Sequence, residues 1–510
     1  MKDRNILKRI RIILSLFMSL LFIVLFLDIG SFSSLGVKVL AWFQAGTSFL
    51  KFLTLGIGFG SCGFILVFFL TFLFGRVYCS GFCPFGLLQD LFVFLFKRKL
   101  KYIKPYNGFR YLFLVIIIVS VLSGSMILFG LFEPFSASGR ISVNLVKPVL
   151  LSVHNSFISF LEYRGIYDFD KISLHLLDPG VLFLTFLFFI GIGILCFFFS
   201  RLYCNLLCPV GISLGLISRY SLFRIKIEKE RCTGCGACEK ICKAGCIDNR
   251  NRKIDPDRCV ACFNCLDRCP VAALTYGRAS SGLKTAGNGL DASRRGFLIF
   301  LFSSLLLLFK SFPLWAGQAL PFLKIRKKYP VTPPGSQGIS RFTRHCTGCH
   351  LCVNACPTRV ITPSLFSYGT SGLFQPHLDY SRGFCEYECN LCSRVCPTGA
   401  IQPIPLEKKK QTQIGNVNLV KQNCIVYTSR TECGACSEHC PTKAVFLVPY
   451  KGLFGPEINP QICIGCGACE NVCPTLPYKA IYVEGNPVHR RSLKPAEKKK
   501  RTKINTGFPF

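Results

Sequence analysis

Twenty-four of the 31 cysteines fall into six tight quartets, and thiols at that spacing hold metal. Cys232, Cys235, Cys238 and Cys242 are spaced C-x2-C-x2-C-x3-C, and Cys259, Cys262, Cys265 and Cys269 repeat the spacing. Cys346, Cys349, Cys352 and Cys356 form a third copy. Cys385, Cys389, Cys392 and Cys396 form a fourth, with one extra residue in the first gap. In Cys424, Cys433, Cys436 and Cys440 the first gap stretches to eight residues, and Cys463, Cys466, Cys469 and Cys473 complete the set. Three cysteines at two-residue intervals wrap one iron–sulfur cube, and the fourth, three residues on, reaches a neighbouring cube in two-cluster proteins. The pattern predicts six [4Fe-4S] clusters. Cys269 joins Cys232, Cys235 and Cys238, and Cys242 joins Cys259, Cys262 and Cys265. For the last four quartets the spacing leaves the pairing open. Zinc sites usually split their ligands into two separated pairs, which these compact quartets do not. Cys346-Thr347-Gly348-Cys349-His350 also spells the c-type haem attachment string, but haem there would break a full quartet. Disulfides suit exported cysteines, yet 24 residues in this register argue against them.

Four more cysteines form an internal repeat. The stretch from Arg76 through Tyr78, Cys79, Cys83 and Pro84 to Gly86 matches that from Arg201 through Tyr203, Cys204, Cys208 and Pro209 to Gly211. Cysteines at i and i+4 share one helical face, and each proline suits a fresh helix start. If the preceding apolar runs pack as a pseudo-symmetric pair, all four thiols could converge on one metal. Otherwise they are two dithiols with structural or redox roles. Cys62 and Cys196 lie in apolar runs and read as small hydrophobes, and Cys246 reads as a spare buried thiol. Lys243 stands where the other five quartets have proline, which predicts a looser turn. Glu133 and Asp178, each just before a proline, are candidates to accept the protons that a quinol must release. Acids before proline also punctuate helix ends. His154 and His175 are secondary candidates.

Apolar runs must position these groups. Residues 12–27, 50–75, 109–132 and 180–200 are each long enough, with their neighbours, to approach about 30 Å of hydrocarbon. Residues 35–46 contain Lys38 and suit an interfacial helix. Residues 1–11 carry five basic residues and one acidic, and residues 97–110 carry six basic and none acidic. The connection 133–179 carries four basic and five acidic residues. That asymmetry puts the N-terminus, residues 76–108, both Cys-x3-Cys-Pro motifs and the chain after Phe199 at the cytoplasmic face. A mean hydropathy of +0.41 with 17% charged residues excludes an ordinary soluble enzyme. The net charge of +35 is largely absorbed by cytoplasmic anchoring residues and by cluster thiolates, so no nucleic-acid partner is expected.

The organisation read from this is a four-span membrane domain at 1–225 and a cytoplasmic ferredoxin at 226–276, with a flexible linker next at 277–293. Arg294-Arg295 before a modest apolar run then forms a twin-arginine signal or anchor helix at 294–319, and residues 320–510 form a four-cluster, outward-facing ferredoxin. Arg326, Lys327 and Lys328 after the run speak for the competing reading, a cytoplasmic tail. The fold class is an α-helical membrane domain, four spans plus the signal-anchor helix, joined to α+β bacterial-type two-cluster ferredoxin modules.

On four spans, two Cys-x3-Cys-Pro motifs and a two-cluster ferredoxin, residues 1–276 resemble NapH, the membrane subunit of periplasmic nitrate reductase systems. The same module occurs in NosR-like proteins. Residues 290–510 resemble NapG, an exported ferredoxin with a twin-arginine signal and four quartets. The resemblance implies a multi-pass protein of the bacterial cytoplasmic membrane that takes electrons from the quinol pool and passes them to a periplasmic reductase or small cytochrome. No molybdopterin-sized domain is present, so the terminal reduction falls to a partner. The alternative is a maturation factor that supplies electrons, or reduces a metal, during assembly of a respiratory metalloenzyme. Either way the clusters lie on two sides of about 30 Å of hydrocarbon, with no haem ligand pair in the runs to bridge them. Another membrane redox subunit is one solution.

Overall fold

The computed structural model describes residues 2–27, 34–56, 58–96, 101–172, 178–278, 327–370 and 372–493. The linker beyond residue 278, the twin-arginine segment 294–319 and His175 lie outside them. Helix α1 (Lys2–Leu27) begins with basic residues and continues as an unbroken Ile/Leu/Phe helix. Its segment Ile6–Phe26 is, among the described residues, one of three helices long enough and apolar enough to cross a membrane, with Pro134–Tyr163 and Pro179–Phe199.

The expected spans are realised unevenly. After α2 (Ser34–Trp42), the run 50–75 divides into α3 (Ala45–Leu55) and α4 (Gly63–Phe74). The break begins at Gly56, whose φ of 79° is a left-handed conformation that glycine adopts without a Cβ clash. Helix α5 (Val77–Gly81) and α6 (Pro84–Phe96) carry the first Cys-x3-Cys-Pro motif, with Pro84 opening the second of the two helices. The run 109–132 divides into α7 (Asn107–Leu122) and α8 (Ile127–Phe132). The connection 133–179, expected as a loop, is instead helical through α9 (Pro134–Ile141), a π-helical turn at Ser142–Val146, and α10 (Lys147–Tyr163). Polar residues dilute its apolar signal, but Ser136, Ser138, Arg140 and Asn144 are all buried inside the protein. Helix α11 (Pro179–Phe199) matches the last expected run, and α12 (Leu202–Leu206) and α13 (Pro209–Ser218) carry the second motif.

Two cysteine-rich bodies flank these helices. The first is closed by strands Phe223–Ile227 and Leu274–Arg278, paired antiparallel with Phe223 opposite Arg278, so its edges lie slightly outside 226–276. The second, from residue 327 to 493, is built on two-stranded antiparallel sheets, the longest pairing Thr412–Leu419 with Ile481–Arg491. They sit at opposite ends of α1. Lys8 pairs with Asp267 of the first body at 2.7 Å, while Phe22 and Phe26 pack into the core of the second. The other helices agree. In α3, Thr54 Oγ1 donates to the Thr398 carbonyl of the second body at 2.8 Å. At the end of α4, Tyr276 of the first body donates to the Phe74 carbonyl at 3.0 Å. Helix α11 starts beside Leu365 of the second body, and just past its end Arg201 N donates to the Lys243 carbonyl of the first.

Candidate metal centres

The C-x2-C loops owe their shape to paired left-handed residues on either side of the second cysteine. These are Gly234 and Gly236, Ala261 and Phe263, Gly348 and His350, and Gly465 and Gly467, with φ between 49° and 79°. Successive turns of this kind aim backbone N–H groups into one concavity, which suits an anionic group. Ala261, Phe263 and His350 adopt a conformation disfavoured for side chains with a Cβ, so the surrounding fold imposes it. The fourth and fifth quartets, with lengthened first gaps, do not repeat this pairing.

Folding brings the quartets together by exchange of the last cysteine. Cys242 shares a cavity with Cys259, Cys262 and Cys265, as the spacing predicts. Cys356 lies with Cys385, Cys389 and Cys392, and Cys473 with Cys424, Cys433 and Cys436. Reciprocally, Cys396 is near enough to Cys346, Cys349 and Cys352 to act on their charge. Cys440 does the same to Cys463, Cys466 and Cys469. The pairing left open by the sequence is therefore third with fourth and fifth with sixth. Among the described residues no three His, Cys, Asp or Glu side chains stand close enough to hold a single metal ion. A cubane fits that wider spacing, because each thiolate binds its own iron at a separate corner.

Four of these last cysteines carry a feature that spacing alone did not expose. Thr358, Thr398, Thr442 and Thr475, two residues past Cys356, Cys396, Cys440 and Cys473, each place Oγ1 3.2–3.8 Å from that sulfur. Hydrogen bonds to the sulfurs tune cluster potential. Thr358 donates its one hydroxyl proton to the Phe384 carbonyl at 2.6 Å, so replacing Thr398, Thr442 or Thr475 with valine is expected to lower the potential of the cluster ligated by the neighbouring cysteine, and Thr358→Val is the control. A differential of about 0.5 kcal/mol between redox states corresponds to roughly 20 mV for one electron. Potentiometric titration read by electron paramagnetic resonance (EPR) measures this, and an unmoved titration in all three variants contradicts it.

The third quartet is seated in the membrane helices. A Cβ on Gly130 of α8 would lie 2.6 Å from the Thr347 carbonyl oxygen, and one on Gly139 of α9 2.4 Å from that of Cys349. Arg140 is buried and donates to the carbonyls of Gly130, Leu131, Thr347 and Gly348 at 2.9–3.3 Å. Ser136 Oγ donates to Thr347 Oγ1 at 2.8 Å. His350, the histidine of the haem-like string, is locked in this seam. Its Nε2 lies 2.9 Å from the Phe374 carbonyl and its Nδ1 3.1 Å from Asn144 Oδ1. Burial, with the Arg140 charge alongside, pushes its pKa down to about 3, and the ring is held as a wedge in the seam.

The paired motifs lie between the two bodies. Gly81 packs against Leu14 of α1, six residues above Lys8, or about 9 Å along the helix. The thiols are thus set into the protein beneath the first body, which caps them. Ser80 Oγ donates to the Ala261 carbonyl and Asn205 Nδ2 to that of Ala244. Cys79, Cys83, Cys204 and Cys208 are all buried. Cys208 is within electrostatic reach of the other three thiols, and Cys83 of Cys204 and Cys79. The two halves interlock: Arg76 donates to the Cys204 carbonyl at 3.1 Å and Arg201 to the Cys79 carbonyl at 2.8 Å. Lys243, the residue in place of proline, reaches Asp90 of α6 at 2.9 Å, where Arg201 at 2.7 Å and Arg11 at 3.5 Å also converge.

The remaining candidates separate. Glu133 is buried as the N-cap of α9, with Oε2 accepting from Ser136 N at 2.6 Å and Oε1 without a partner. Asp178 caps α11 through Gly180 N at 2.8 Å and is exposed, as is His154 on α10. Cys196 is buried, Cys62 half-buried, and Cys246 Sγ lies 3.6 Å from Cys242 Sγ.

Comparison with known proteins agrees with this chemistry. A 4Fe-4S binding domain model matches residues 57–102 and 181–230, a second matches 229–245, and a 4Fe-4S dicluster model matches 345–400 and 429–476. The chain is 26% identical to YccM of Escherichia coli over 44% of its length and 57% of that protein. It is 27% identical to the ferredoxin-type protein NapH of Haemophilus influenzae, over 40% of its length and 63% of NapH. The chain fits a NapH-like polyferredoxin. The methylamine utilization ferredoxin-type protein MauN of Methylobacillus flagellatus is 28% identical over 35% of the chain and 53% of MauN. The matches thus span between half and two thirds of these relatives' own lengths. No solved structure matches. Together these findings support iron–sulfur electron transfer by a chain that carries helices apolar enough to cross a membrane.

Proposed function

We propose that the chain takes electrons from quinol and passes them, through six [4Fe-4S] clusters on both faces of the bacterial cytoplasmic membrane, to a periplasmic reductase or small cytochrome. The observation that carries this reading is the order of parts along α1: one cysteine-rich body at Lys8, the other at Phe26. The basic stretches 1–11 and 97–110 support a cytoplasmic first body, and the likeness of residues 290–510 to NapG supports an exported second one. The six quartets, with exchanged last cysteines, support the cluster count. When bound, each cluster supplies a one-electron couple. The chain's own residues hold the thiolates, seat the third quartet through Arg140, and cap the thiol pairs with the first body. In this reading the free Oε1 of Glu133 receives a quinol proton, and Asp178 serves the outer edge.

The test is the full chain in proteoliposomes with a quinol supplied from the lipid phase. Reduced-cluster EPR signals from quartets of the second body are expected. Glu133→Gln keeps the helix cap and removes the base. It is expected to slow quinol oxidation by about 10²-fold or more with iron content unchanged. Clusters that dithionite reduces but quinol does not would overturn the reading.

A further inference from the structure

We infer that Cys79, Cys83, Cys204 and Cys208 hold one iron–sulfur cluster shared between the two halves of the internal repeat, a stepping-stone between the two cysteine-rich bodies. This rests on the proposed cluster relay and goes beyond it, since the six quartets do not include these residues.

Three observations point to a cluster rather than idle thiols. The first is convergence. Four buried thiols from two repeats act on one another's charge, and the repeats are clasped by Arg76 and Arg201, each bonded to the opposite motif. Gly86 and Gly211 hold equivalent close approaches, where a Cβ would meet the Cys79 and Cys204 carbonyl oxygens at 2.3 and 2.1 Å. The second is charge. Arg76 is wholly buried, and its partners are the Asn205 side-chain oxygen at 2.6 Å, the Asp257 and Cys204 backbone oxygens at 3.1 Å, and Cys79 Sγ at 3.7 Å. No carboxylate is among them, its Nε has no partner, and the Asp257 carboxylate is taken by Arg110. A buried guanidinium without an anion is costly. A four-thiolate [4Fe-4S] centre, at roughly −2 when oxidised, supplies that anion where neutral thiols do not. The third is donors aimed at sulfur. Gln89 Nε2 lies 3.2 Å from Cys204 Sγ and Gly211 N 3.2 Å from Cys208 Sγ. A single metal ion does not suit the spacing of the four thiols, and the 4Fe-4S model that matches 57–102 and 181–230 covers both motifs.

Position gives the function. On one side Arg76 lies within electrostatic reach of Cys259, and Arg201 of Cys262, in the first body. On the other, Tyr203 beside Cys204 donates to the Phe132 carbonyl at 2.9 Å. Phe132 adjoins Glu133 and the Arg140 cradle that holds Thr347 and Gly348 of the third quartet. From Leu14, level with the thiols, to Phe26, level with the third quartet, is twelve residues of α1, or about 18 Å. One long hop becomes two shorter ones. In each, one electron leaves a reduced cluster on one side, reduces this centre by one unit, and then reduces the cluster beyond. No bond breaks and no proton moves.

The experiment is iron and acid-labile sulfide per chain, with EPR, on the full chain in nanodiscs. The wild type is expected to hold one cluster more than the six quartets explain, and Cys79→Ser and Cys208→Ser to lose that one cluster while the other signals persist. Arg76→Gln, which spares the ligands, is expected to keep the iron and lower the potential of one signal. Iron equal to six clusters, or zinc in place of iron at these thiols, would overturn it. If the extra cluster is present but quinol reduces nothing, the quinol reading falls and this one stands.

Discussion

Gly139→Leu is expected to unseat the second cysteine-rich body from the membrane helices and to cut electron delivery to it by roughly a hundredfold. The reason is steric and local. A Cβ at this position meets the Cys349 carbonyl oxygen at 2.4 Å and the Phe26 ring at 2.7 Å. The first belongs to a cluster-wrapping loop whose backbone cannot shift without spoiling the quartet, and Phe26 is clamped against Phe22 and Phe135. Overpacking of this kind costs about 1–3 kcal/mol, and every 1.4 kcal/mol is about a tenfold change in a docking equilibrium. Gly130→Leu meets the Thr347 backbone in the same way and should behave alike. Arg140→Ala attacks the seam from the polar side by stripping its donor from four carbonyls. The control is Gly191→Leu on α11, where nothing lies within 4 Å of the added carbon. Limited proteolysis of the second body, its iron content and its reduction rate are read together. A Gly139→Leu protein whose second body resists protease and reduces at the wild-type rate would show that the seam does not position the third quartet.

Much of this was legible in residue spacing. The exchange of last cysteines, the first body and the long helices α1 and α11 follow from periodicities that a linear chain displays directly. The helix breaks did not show. Gly56 and Gly124 break two apolar runs that read as continuous, because a lone glycine inside such a run signals little by itself. Pro134–Tyr163 was hidden for the opposite reason. Its Ser136, Arg140 and Asn144 look like loop residues until the partner surface that satisfies them, residues 347–350, is folded against them. The pairing of the last four quartets depends on which loops meet in space. Lys243 was visible as a departure from proline, but its meaning was not, since Asp90 lies far away in sequence.

That lysine leads to the second large effect. Asp90→Leu is expected to release the first body and to destabilise the membrane helices by about 3–5 kcal/mol, the range for removing one partner of a buried ion pair. One largely buried carboxylate faces cations from three elements: Arg11 on α1, Arg201 at the start of α12, and Lys243 in the first quartet's turn. Removing it leaves the wholly buried Arg201 without its carboxylate partner and drops the contact that ties the first body to α6. Lys243→Pro, which restores the residue found in the other quartets, should do less harm. It removes only the most exposed of the three cations and leaves Arg201 paired. Lys8→Ala, which breaks the exposed pair with Asp267, should cost no more than about 1 kcal/mol. The order Asp90→Leu, then Lys243→Pro, then Lys8→Ala is the test. It is read as thermal unfolding in detergent and as protease release of residues 223–278. Should Lys8→Ala prove the most damaging, the first body would be held by its rim. Should Asp90→Leu be silent, the three-cation junction would have no part in docking it.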